Sequence, residues 1–172
     1  MSVVSAASIA AKPMEYLANL VASSTTFRAI AQADDADVAL QRIYWPEASD
    51  RLNADGQMEH PRPRCIIRPG TDHEIRRRGP GEWADNGNLE LCFEFLVPDV
   101  HRNNIKDSLF WFVNQYGAIL NEMMTNRDAG SDATPYLSVT RFGLFAGPDY
   151  PDADDDPDGD GVYAVSYLVS WV

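Results

Sequence analysis

Three groups of residues in this chain carry types and spacings that could do chemistry. The first is Asp156-Pro157-Asp158-Gly159-Asp160-Gly161, which follows the D-x-D-x-D-G opening of a calcium loop, where alternate oxygens surround the ion and the glycine permits a sharp turn. The twelfth position of such a loop supplies a bidentate glutamate. Here it is Tyr167, and the residues after Gly161 alternate as a strand. Asp156, Asp158 and Asp160 are therefore weak metal candidates, and turn chemistry at a solvated hairpin tip is the simpler account of them. The expectation is no resident metal and no cofactor.

The second group is basic. Between Arg62 and Arg78 stand six arginines (62, 64, 68, 76, 77 and 78), against only Asp72 and Glu74. Arg76-Arg77-Arg78, beside the turn Gly79-Pro80-Gly81, reads as an exposed finger that could touch phosphate. The chain as a whole argues otherwise: 14 Lys and Arg against 26 Asp and Glu give a formal charge of -12, which repels phosphate backbones and anionic membranes. An opposite pole lies between Asp149 and Asp160, with seven aspartates and no base. Ion pairing of Arg76, Arg77 and Arg78 with Asp152, Asp154, Asp155, Asp156 and Asp158, within one chain or between copies, is the favoured reading, and these are the expected interface residues.

The third group is sparse. His60, His73 and His101 are the only histidines, and no C-x-x-C, H-x-H or H-E-x-x-H spacing occurs. Cys65 and Cys92 read as plain strand residues. No nucleophile-elbow, P-loop or dinucleotide-binding glycine pattern is present, and Glu90 and Glu94 read as a solvated strand face. The expectation is a protein without catalytic residues.

The elements that must position these groups follow from periodicity. Pro13 can open a helix, with Met14, Leu17, Leu20 and Val21 recurring on one face up to Ser23-Ser24. Leu40 to Trp45 reads as a strand stopped by Pro46, and Glu47 to Pro63 as a long polar loop. Arg64 to Arg68 and His73 to Arg78 read as two short strands. Leu89 to Val97 alternates, with Leu89, Leu91, Phe93 and Phe95 on one face and Glu90, Cys92 and Glu94 on the other. Asn103 or Asn104 caps a long helix to Thr125, whose stripe is Ile105, Leu109, Phe112, Tyr116, Ile119, Leu120 and Met123, widened by Trp111, Val113 and Met124. Tyr136 to Ala146 and Val162 to Val172 are further strands, separated by an acidic loop insertion at 148–161.

This order, with every strand connection compatible with antiparallel pairing, predicts a single α+β domain over 1–172. A mainly antiparallel sheet is packed by one long amphipathic helix and a shorter N-terminal helix. At 172 residues and 45% hydrophobic, the chain can bury its own core. Two cysteines are too few for a disulfide scaffold, and the opening Met1-Ser2-Val3-Val4-Ser5-Ala6 has no basic leader region, so a reducing cytoplasm is expected. No apolar run approaches the roughly 20 residues that span a bilayer.

In the order and spacing of its elements the chain resembles the tail-terminator (tail-completion) proteins of tailed bacteriophages. The resemblance is carried by the helix Pro13 to Ala22 followed by Phe27-Arg28, the segments Leu40 to Trp45 and Leu89 to Val97, the helix Asn104 to Thr125, and the closing Leu168-Val169-Ser170-Trp171-Val172. It implies a small α+β domain that assembles as a hexameric ring on the growing tail, stops polymerisation and docks to the head. The implied partners are other copies of the chain, the tail tube protein and head–neck connector proteins, with DNA passing through the lumen without specific binding. The implied place is the head–tail junction of the virion, after assembly in the host cytoplasm. The length and acidity of Asp149 to Asp160, and the long loop Glu47 to Pro63, depart from the family pattern. Two alternatives stay open beside it: another head–tail connector, such as a neck or head-closure protein, and a calcium-binding interaction module.

Overall fold

The computed structural model describes residues 11–45, 53–57, 59–79, 82–102, 104–127, 137–149 and 162–171. The alternating segment around Leu89–Phe95 lies at its centre. It belongs to β3 (Glu82–Leu96), which is flanked by β2 (Arg64–Gly79) and β5 (Val162–Trp171). Outside these lie β1 (Ile43–Tyr44), next to β2, and β4 (Leu137–Asp149), next to β5, so the sheet order is β1-β2-β3-β5-β4. All neighbours are antiparallel except β1 and β2.

Because successive strand residues point to opposite faces, the register sorts the sheet into two surfaces. Cys65 and Val165 flank Phe93, Ile67 and Tyr167 flank Leu91, and Tyr163 flanks Phe95, all on the buried face. Leu89, Leu91, Phe93 and Phe95 are each no more than 1% exposed. The helices gather over this face. α1 (Ala11–Ser23) contributes Leu17, Leu20 and Val21, and α5 (Ile105–Arg127) contributes Phe112, Ile119 and Met123. The α+β architecture is therefore the expected one: a mainly antiparallel sheet, one long amphipathic helix and a shorter N-terminal helix.

Aromatic rings join the layers. The Phe112 ring lies 5.0 Å from Tyr163, 5.2 Å from Tyr116 and 5.7 Å from Phe95. From the other side Phe27 lies 6.3 Å from Phe93 and 6.5 Å from Phe95. Phe27 sits on α2 (Thr25–Ala31), a helix the sequence reading passed over. Its start is set by Ser24, whose hydroxyl oxygen accepts from the Phe27 N–H at 3.0 Å.

Five other expectations are corrected. Leu40 to Trp45 is not a strand through its length: Asp35 caps α3 (Ala36–Leu40) by accepting from the Val38 N–H at 2.8 Å, and only Ile43 and Tyr44 pair, parallel to Cys65 and Ile66. The two short strands expected at Arg64–Arg68 and His73–Arg78 are one. Between the pairs Pro69–Leu89 and His73–Gly87, β2 carries three residues against the single Asn88 of β3, so a bulge absorbs the turn-like Gly70-Thr71-Asp72. Gly70 is required there, since a Cβ would sit 2.5 Å from the Asn88 carbonyl oxygen. A short helix α4 (Asp99–Arg102) precedes α5, which Asn104 caps by accepting from the Lys106 N–H at 2.9 Å. The expected stripe of α5 holds from Phe112 to Met123 and departs only at Leu109 and at the widening residue Val113. Leu109 and Val113 are both 37% exposed, while Ser108 is fully buried with its hydroxyl 2.9 Å from that of Tyr163. Finally, Pro148 and Asp149 belong to β4, not to the acidic insertion. Among the described residues no helix is long and apolar enough to cross a membrane.

Truncating the buried end of this packing should cost far more than truncating the outer face. Phe112→Ala is expected to destabilise by about 3–5 kcal/mol and Leu109→Ala by less than about 1 kcal/mol, measured by urea unfolding. Equal losses would show that the helix face is misassigned.

Candidate interaction surfaces

The face of the sheet opposite the helices carries the charges. Arg64, Ile66 and Arg68 of β2 stand beside Glu94, Cys92 and Glu90 of β3. Glu90 and Glu94 are not simply solvated. Glu94 takes Arg64 at 2.7 Å and Arg62 at 3.2 Å, and Glu90 stands 3.8 Å from Arg68. Arg64 is 3% exposed and also donates to the His60 carbonyl at 2.7 Å, tying the segment before β2 to the sheet. Three of the six arginines of the basic stretch thus have glutamate partners on the adjacent strand. Their side chains are fixed by cross-strand spacing, which a linear charge count does not contain.

The other three, Arg76, Arg77 and Arg78, lie on a part of β2 that runs past the rest of the sheet. β3 pairs with β5 from Leu96 to Gly87, whereas its pairing with β2 continues from Gly87 to Glu82. Residues 73–79 and 82–86 therefore form a two-stranded arm, set off from the sheet by the bulge at Gly70–Asp72. Arg77 is opposite Trp83 and Arg76 opposite Ala84 in its ladder. An isolated two-stranded ribbon is only marginally stable in water, so an arm of this kind gains from a second surface.

The ends of the acidic segment stand at the other end of the sheet. Asp149 and Val162 bracket the segment, and both stand at the Leu96 end of the sheet. Thirteen residues of β3 separate Trp83 from Leu96, about 40 Å at roughly 3.3 Å per residue. The bases of the arm and of the acidic segment stand at opposite ends of the sheet, and the expected pairing of Arg76, Arg77 and Arg78 with the aspartates, within one chain or between copies, lies outside the described residues. Asp152, Asp154, Asp155, Asp156, Asp158 and Asp160 themselves lie outside the described residues, as do Pro80 and Gly81.

The Leu96 end holds a feature the sequence did not reveal. An open cleft of about 570 Å³ lies between α2, the end of β3 and α5, lined by Ala29, Ile30, Gln32, Leu96, Pro98, Asp99 and Trp111 among others. Trp111, read from sequence as widening the core stripe, also stacks on His101 with centroids 6.2 Å apart. Gln32 closes α2 with φ 54° and ψ 41°, a left-handed conformation that a side chain rarely adopts. Without α2 in view, no sequence signal could place Ala29, Ile30 and Gln32 beside Trp111.

Glu122 of α5 fixes the helix that forms this wall. Its carboxylate accepts from the hydroxyls of Ser24 (2.7 Å), Thr25 (3.0 Å) and Thr26 (2.6 Å) and from the Thr26 N–H (3.2 Å). Burial pushes this carboxyl up, but these bonds outweigh burial and bring it down to about 2. Burial likewise raises the thiols of Cys65 and Cys92, which lie on opposite faces of the sheet and are free. Among the described residues no group of three His, Cys, Asp or Glu gathers closely enough to hold a metal ion.

A scan against protein-family models finds no match to this chain, and a search of curated proteins finds no similar sequence.

Two outcomes follow from the charges. Glu94→Gln leaves the Arg64 guanidinium buried without its counter-ion and should destabilise by about 3 kcal/mol, whereas Glu90→Gln, at an exposed pair, should change stability by less than about 1 kcal/mol; chemical unfolding of both variants checks this. Glu122 is depressed in the folded state relative to its ordinary value of 4.5. Its contribution is therefore fully present above pH 4.5 and is lost as pH falls towards 2. The stability gap between wild type and Glu122→Gln should narrow steadily over that window, and a gap independent of pH would remove the clamp from the account.

Proposed function

We propose that this chain is a structural protein of the head–tail junction of a tailed bacteriophage: a tail terminator that caps the tail tube as a ring, in six copies, ends tail polymerisation and docks to the head–neck proteins. The observation that carries this reading is the sheet itself. Its helices occupy one face, its ends bear opposite charge in the sequence, and an arm overshoots its neighbours at one end. Among the described residues the outer edge of β2 is paired only at Cys65 and Ile66, and β4 is the other edge. Open edges and a projecting ribbon suit a protein that completes itself against copies.

A ring needs a heterologous interface, in which two different patches of the chain meet. The projecting arm and the open edge of the sheet are two different surfaces that could serve such an interface. An overall charge of -12 suits a lumen that passes DNA, because repelled phosphates do not stick to its walls. The other connector reading shares these features and differs in location.

Electron cryo-microscopy of tails carrying the protein separates the readings. The expected image is one ring at the head-proximal end of the tube. A ring confined to the neck, away from the tube, makes the chain a connector, and density along the full tube makes it a tube subunit.

A further inference from the structure

We draw no further inference here: the strongest candidate, the apolar surface patch on the outer side of α5 at Leu109, Phe110 and Val113 beside the open position at Gly117, is an unpartnered helix face, and nothing in the structure shows what covers it.

Discussion

The strict alternation of β3 constrains everything else in this molecule. As the central strand it must satisfy both faces at once. Leu89, Leu91, Phe93 and Phe95 pull three helices and the matching residues of β2 and β5 to one side. Glu90 and Glu94 hold Arg62, Arg64 and Arg68 on the other. A slip of one residue would turn the phenylalanines out and the glutamates in, so the register is specified by both surfaces. That same register fixes how far the β2–β3 hairpin overshoots β5, and where the Leu96 end stands relative to it.

Function in this reading comes from the ends of the sheet, and the core is what holds the ends apart. The sheet places the arm and the base of the β4–β5 connection at opposite ends. The packing of α2 adds a third element. Phe27 anchors that helix in the core while Glu122 holds its first turn, so Ala29, Ile30 and Gln32 are presented to Trp111 as a fixed wall. The left-handed Gln32 sits at the end of this wall, where ending the helix sharply keeps the cleft open.

Much of the fold was legible in the sequence because it is written in periodicity. The alternation of Leu89 to Phe95 and of Tyr163 to Val169, and the length of α5, follow from spacing alone. The features that were not legible depend on partners distant in sequence. Ser24 and Asp35 begin helices through caps that sit among ordinary turn residues. The bulge at Gly70–Asp72 looks like a turn because its residues are turn residues, and only the continuing ladder to His73 shows otherwise. The pairing of Arg64 with Glu94, 30 residues away, ties part of an apparent basic pole into the ion pairs of a sheet face. Ser108 displaced Leu109 from the core because Tyr163 needed a hydroxyl partner, a demand that no hydrophobic stripe can express.

The central claim of the proposed function is that copies of this chain associate, with the arm as one contact surface. Hydrogen exchange followed by mass spectrometry, on the wild-type protein at low and high concentration, tests it most directly. Amides of the arm should exchange quickly when dilute and slow as concentration rises, while those of Leu89–Phe95 stay slow throughout. Protection of the arm that ignores concentration would contradict the account.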